Sequence, residues 1–217
     1  EHIGDPTVRY YYTGEDLGLV EGRNRVADEA KGDILLFVND YIRFDKYFVT
    51  NLIMNAFRPQ EISALTFQVR DASSRELIAE EYPGMKMNRW TEARELCGLG
   101  TSIFAVRRSA FLETGGFDVN LYGDEAGLEL AFRLLRAGGI IRYLPDVLVN
   151  LRVSMREPEA APKAFTRLRN RLYLALKHLP FPYVFTYAVA WGGFSLYSGL
   201  REHQSGAFPQ AIKAFKQ

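Results

Sequence analysis

Residues 97–133, CGLGTSIFAVRRSAFLETGGFDVNLYGDEAGLELAFR, constrain the fold more than any other segment, because they dictate a strand, a short helix, a glycine turn and a second helix in fixed order. Gly98, Gly100, Thr101 and Ser102 carry little side-chain bulk ahead of an apolar run from Ile103 to Val106. The strand they open can therefore lie beside a cavity, where a ligand or another backbone approaches closely. Ser109 is placed to cap a short helix through Glu113, and Gly115 and Gly116 supply the permissive dihedrals for its exit. Past a turn at Phe117 and Asp118, the spacing of Leu128, Leu130, Ala131, Leu134 and Leu135 predicts a helix with one apolar face, ended by Gly138 and Gly139. Asp124 and Glu125 head that helix, where free N–H groups and the helix dipole favour ionised carboxylates.

The rest of the chain alternates in the same way. Residues 8–12 are aromatic and alternating and read as a strand; Gly22 precedes a helix over 23–30. Residues 33–38 read as a strand, continuously apolar from Ile34, of the kind covered by helices on both faces. Its carboxyl end delivers Asn39 and Asp40 to the edge where open alternating sheets bind ligands. A helix is expected over 45–57, closed by Pro59, and a strand over 62–69. A polar turn at 71–75 folds 76–81 back as a hairpin, and 82–95 shows no sustained period and reads as a loop over the site. The class is α/β, with a mostly parallel mixed sheet and helices on both faces.

Taken in order, these motifs resemble a family-2 glycosyltransferase of the GT-A type. The resemblance includes Gly22-Arg23-Asn24-Arg25, the strand leading to Asn39-Asp40 where the family carries an Asp-x-Asp-type motif, and the Arg107-Arg108, Gly-Gly-Phe-Asp, acidic-pair and Leu130-x-x-Arg133 series. It continues through Tyr143-Leu144-Pro145-Asp146 and Arg169-Asn170-Arg171-Leu172 to Pro180, most of the chain. It implies a GT-A-like fold and transfer of a sugar from a nucleotide sugar to a saccharide or lipid-linked acceptor. It further implies donor contacts from Arg23, Asn24, Asn39 and Asp40, acceptor contacts from Gly100, Thr101 and Arg107, and Asp124 or Glu125 as catalytic base. A divalent cation, Mg²⁺ or Mn²⁺, would be held through Asp40.

Three motifs depart from the family pattern. Tyr41 stands where the metal-binding carboxylate is expected, Ala126 and Gly127 stand where an ungapped count places the acidic pair, and Asn150 stands where many members carry a histidine. Each falls on a chemical motif while the packing motifs persist. A second expectation follows: a catalytically inactive, transferase-derived structural or docking subunit. Structural readings stay open beside the catalytic ones, with Asp40 ending a strand, Arg23 and Asn24 capping a helix, Arg107 and Arg108 forming salt bridges, and Asp124 and Glu125 forming a solvated charge pair.

Composition narrows the partners. A net charge of +1 over 217 residues argues against nucleic acid, and a single cysteine, Cys97, excludes an internal disulfide, fits a reducing compartment and is expected as a small core residue. The strand at 8–12 begins where the family would already have completed a strand-helix-strand unit. The expectation is an N-terminally incomplete domain over 1–158, or a domain whose exposed sheet edge a protein partner covers. Residues 159–217 form a separate helical region. In it, Phe165, Leu168, Leu172 and Leu176 make one helical face among Lys163, Arg167, Arg169, Arg171 and Lys177, followed by an uncharged aromatic stretch over 179–200. That arrangement is read as an anchor on anionic lipid, which places the protein in the cytoplasm, peripheral on the inner membrane face. A partner surface and a true span are the alternatives.

Overall fold

The computed structural model describes residues 8–10, 12, 14–45, 47–48, 57–78, 91–121, 125–152 and 163–201. In chain order the elements are α1 (Gly18–Glu29), β1 (Ile34–Val38), β2 (Ile42–Phe44), β3 (Ile62–Asp71), β4 (Arg94–Glu95), β5 (Ile103–Arg107), α2 (Arg108–Glu113), α3 (Glu125–Arg136), β6 (Ile140–Leu151), α4 (Lys163–His178) and α5 (Phe181–Arg201). The class is the expected α/β with a mixed sheet, ordered β1-β5-β3-β6-β2, with β4 also on β6. Its longest ladder, β3 on β6, is parallel; β1–β5, β3–β5, β2–β6 and β4–β6 are antiparallel. Strands β1, β3 and β6 therefore point the same way. Their carboxyl ends share one edge with the amino end of β5, and that edge carries the site.

Alternation along β5 divides the core. Phe104 and Val106 face a cluster with Leu35, Phe37, Phe111, Phe117, Leu130 and Leu134, whereas Ile103 and Ala105 face one with Leu65, Phe67, Val149 and Leu151. In the first cluster Phe37 stacks on Phe104 at 5.0 Å between centroids and meets the edge of Phe117 at 5.2 Å. These geometries add specific attraction to the burial of large apolar area. Gly115 and Gly116 adopt φ of +86° and +69°, the left-handed exit read from the sequence.

Among the described residues β1 is an edge strand. Arg108 donates to Asp33 O and Asn39 donates to Ser102 O, which sets the hydrogen-bonding phase of the β1–β5 ladder. The intervening amides of Ile34, Leu36 and Val38 then point away from β5, toward the outer edge. Few edge strands are so apolar, since charge or proline commonly protects them.

Several local expectations are corrected. Val8, Arg9, Tyr10 and Tyr12 lie in no strand, and Tyr10 and Tyr12 are 87% and 82% exposed, because alternation supplies no ladder without a neighbouring edge. α1 starts at Gly18 rather than Arg23. Ser109 does not cap α2; the cap position falls on Arg107, whose side chain makes no capping hydrogen bond to the helix. β3 runs on to Asp71, and its hairpin return is present as Ile78 N–H to Val69 O, 3.1 Å. Arg94 and Glu95 pair with β6 instead of continuing a loop. Cys97 is exposed, not core. Most of the helix expected over 45–57 and of the stretch 79–90 lies outside the described residues.

Candidate functional site at the carboxyl edge of the sheet

The N–H of Asn39 donates to Ser102 O at 3.1 Å, so the end of β1 and the small-residue lead-in to β5 are adjacent. Asn39 is fixed from both sides: its Oδ1 accepts from Arg23 at 2.7 Å, and its Nδ2 donates to Tyr41 Oη at 2.5 Å. The Arg23 guanidinium lies 5.9 Å from the centroids of both Phe37 and Phe117, within cation–π range. Asp40 is exposed in the turn that follows. Gly100 is buried, Thr101 is half-buried and Ser102 is 1% exposed. An added Cβ on Gly98 would lie 3.7 Å from Leu128, and one on Gly127 4.0 Å from Leu99 Cβ, so the amino end of α3 rests on this small-residue loop.

Glu125 opens α3 and is 9% exposed. Its Oε2 accepts from Asn170 Nδ2 at 3.2 Å, and its Oε1 lies 3.6 Å from Arg171 Nε. Arg171 in turn lies 4.9 Å from the Trp191 ring centroid, so α4 orients this carboxylate and α5 lies behind the arginine that faces it. Asp124 lies outside the described residues. One turn further along α3, the fully buried Glu129 pairs with Arg133, with Lys177 at 2.9 Å and with His178 Nε2 at 3.1 Å. Burial opposes its charge, but hydrogen bonds from Arg133 and Lys177 outweigh it and hold the carboxyl below its ordinary range. Asp118 behaves likewise: burial is overcome by Lys177 at 2.5 Å, the N–H of Asn120 and Tyr173 at 2.8 Å. The same contacts push the Lys177 ammonium up despite its burial.

Two of the residues expected to contact donor or acceptor make hydrogen bonds within the fold. Asn24 makes a reciprocal pair with Phe117, donating to its O and accepting from its N–H, both at 2.8 Å, and so latches α1 to the Gly-Gly-Phe-Asp turn. Arg107 donates to the carbonyls of Ile62 (2.8 Å), Pro59 (2.9 Å) and Phe57. Its place follows from topology. Arg107 ends β5, which runs antiparallel to β1, so it lies at the edge opposite Asn39, Gly100 and Thr101.

Helix α4 also differs from its sequence reading. Leu168, Leu174 and Ala175 are buried, while Leu176 is 59% exposed. The pairing of Asn170, Arg171, Lys177 and His178 with the acids of α3 sets the helix rotation, and apolar spacing alone does not reveal it. Arg169 donates to Asn120 O at 2.9 Å. Three of the cations expected to face anionic lipid therefore face the domain. α5 keeps Phe181, Tyr183, Phe185, Val189 and Phe194 more than half exposed, and among the described residues no helix is long and apolar enough to cross a membrane.

Sequence reasoning missed Asn170 and Arg171 as partners of Glu125, and the polar row of Thr66, Gln68 and Arg70 on β3. Thr66 and Gln68 are 0% and 5% exposed. Polar residues at alternate positions of an apolar strand were the available signal. Among the described residues no group of three or more His, Cys, Asp or Glu side chains could hold a metal ion. Asp40 contributes one carboxylate, and the neighbouring Tyr41 phenol is engaged by Asn39.

No protein-family model matches the chain. Over 160 residues it is 28% identical to a Drosophila melanogaster protein named "Putative inactive polypeptide N-acetylgalactosaminyltransferase 12", covering 64% of this chain and 28% of that one. Among solved structures, S. aureus TarS 1–349 in complex with UDP-GlcNAc superposes with a TM-score of 0.61 and 14% identity, over 91% of this chain and 61% of that one. GalNAc-T7 with UDP, GalNAc and Mn²⁺ superposes with a TM-score of 0.58 and 17% identity, over 76% and 36%. The chain thus spans less than two thirds of the length of each of these proteins. The fold is that of GT-A glycosyltransferases.

Proposed function

We propose that the chain acts as a family-2-type glycosyltransferase, which moves a sugar from a nucleotide donor to a saccharide or lipid-linked acceptor. One observation carries this reading. The end of β1, the Gly100–Ser102 lead-in and the amino end of α3 converge on the single sheet edge where parallel strands finish. Arg23, Asn39 and Asp40 stand on the donor side, and Glu125 is the described acid able to take the proton of an acceptor hydroxyl. UDP, UDP-GlcNAc and Mn²⁺ in the neighbouring structures support the donor class. Asp40 with Tyr41 does not make a divalent-cation cage, and Asp40 is the one carboxylate of this pair that Mg²⁺ or Mn²⁺ would find here.

The second reading, an inactive docking subunit, is favoured by Glu125 being held by Arg171 and Asn170, and by the Tyr41 phenol at the metal position. In that role the outer edge of β1 pairs with a strand of a partner protein, and the aromatic face of α5 meets the membrane interface from the cytoplasmic side. Donor hydrolysis and transfer, with direct binding of UDP, GDP and dTDP, separate the two readings on the natural full-length product. Turnover supports the enzyme; no turnover with common nucleotide sugars and no nucleotide binding removes it.

A further inference from the structure

Three positions on β3, Thr66, Gln68 and Arg70, alternate and so share one face, and the last lies at the carboxyl edge that holds Asn39. Across the sheet Tyr143 of β6 pairs with Thr66 on one side and with Arg94 of β4 on the other. The Tyr143 side chain is fully buried and hydrogen-bonded to Gln68, and the guanidinium groups of Arg70 and Arg94 both act on its hydroxyl. Burial pushes this phenol up, while Gln68 and the two cations pull against that rise.

The balance of charge there is incomplete. Nε of Arg70 and Nε of Arg94 are both shielded from solvent without a hydrogen-bond partner, as is Thr66 Oγ1. Among the described residues Arg70 makes no ion pair, and Arg94 pairs with Glu92, whose side chain is 75% exposed. A buried donor without an acceptor costs about 1–3 kcal/mol, and two cations that both act on one neutral hydroxyl leave their charge unbalanced there. Both costs are relieved by an oxyanion. Guanidinium is the side chain best matched to such a group, through paired N–H donors.

We infer that Arg70 and Arg94, with Gln68 and Tyr143 between them, form a subsite for a phosphate-class oxyanion on the acceptor. Calling the ligand an acceptor rests on the transferase reading; the anion site itself does not. The Arg70 end of this subsite lies at the sheet edge that carries Gly100 and Thr101, apart from Arg23 of α1 and from Asn39 just after β1.

The test uses the 217-residue chain and inorganic phosphate, titrated by calorimetry with and without UDP. Phosphate is expected to bind in both conditions. Arg70→Gln and Arg94→Gln should each weaken it about tenfold or more, while the exposed Arg136→Gln on α3 leaves it unchanged. Arg70→Lys, which keeps the charge and protects against a folding artefact, should lose a smaller part. No phosphate binding to the parent chain, or equal affinity in the parent and both Gln variants, overturns the inference. UDP affinity, expected unchanged in Arg70→Gln, is read separately: UDP binding without phosphate binding removes this site and spares the transferase reading, and phosphate binding without UDP binding keeps the site and counts against UDP as the donor nucleotide. Glucose 1-phosphate and phosphatidylcholine vesicles containing phosphatidic acid identify the source. Competition by the sugar phosphate marks a soluble acceptor, and vesicle association lost in Arg70→Gln marks a lipid headgroup. Failure of both overturns the assignment to an acceptor.

Discussion

Replacing Glu129 with Gln tests whether the α3–α4 junction is held by charge. The carboxylate is fully buried and receives Arg133 Nε at 2.9 and 2.8 Å, Lys177 at 2.9 Å and His178 at 3.1 Å. Removing one member of a buried ion pair costs about 3–5 kcal/mol, because the remaining charge stays desolvated. Lys177 keeps Asp118 at 2.5 Å, Arg133 keeps the carbonyls of Thr114 and Gly116, and Gln still accepts hydrogen bonds, so the expected loss is near the lower bound, about 3 kcal/mol. For a chain of this size that corresponds to roughly 6–12 °C in melting temperature. The sign of the pH dependence follows from the depressed carboxyl. Its stabilisation is complete above the ordinary value of 4.5 and is lost as pH falls through the lower folded value. In that window the unfolded chain binds a proton that the folded chain refuses, and stability changes by up to about 1.4 kcal/mol per pH unit for this one group. The variant should lose this acid-limb slope. Urea unfolding followed by circular dichroism from neutral to acid pH measures both quantities. A variant within about 1 kcal/mol of the parent at neutral pH, or one with the parent's acid slope, refutes the reasoning.

Asn24→Ala removes both hydrogen bonds to Phe117 and should cost about 2 kcal/mol by urea midpoint, with Asn24→Asp, which keeps the acceptor, losing less. Gly139→Ala would set a Cβ 2.1 Å from Ser63 Oγ and 2.8 Å from its Cβ, so a loss of about 1–3 kcal/mol is expected in thermal melts, largely recovered by adding Ser63→Gly. In flotation assays Phe181→Ser with Phe185→Ser should reduce association with neutral phosphatidylcholine vesicles, since those rings are 86% and 70% exposed. Anionic lipid should add little, because Arg171 and Lys177 are paired inward, and no flotation of the parent chain would leave α5 as a protein-binding surface.

What the sequence revealed follows from the range of the interactions involved. The apolar run of β1, the glycine exit of α2 and the apolar face of α3 are local patterns, and each lies where composition and spacing put it. The place of Arg107 is not legible in its motif, which gives no strand direction; the antiparallel β1–β5 ladder sends it to the edge opposite Asn39. Asn24 reads as a helix-surface polar residue until the turn at Phe117, far along the chain, is brought against it. The same holds for Glu125 and Asn170, whose contact depends on the rotation of α4. The aromatic alternation at 8–12 shows the opposite failure, a strong local signal with no ladder to join.

The position of β1 has a consequence in time as well as in space. Its one described ladder partner, β5, is encoded far downstream, and synthesis at about 5–20 residues per second leaves the run Ile34–Val38 without its ladder for roughly 3–14 s. During that interval α1, already made, can shield Leu35 and Phe37 through Val20 and Ala27. A nascent chain in this state is a natural client for a chaperone that binds short apolar segments, and the yield of folded protein depends on how quickly β5 reaches its place.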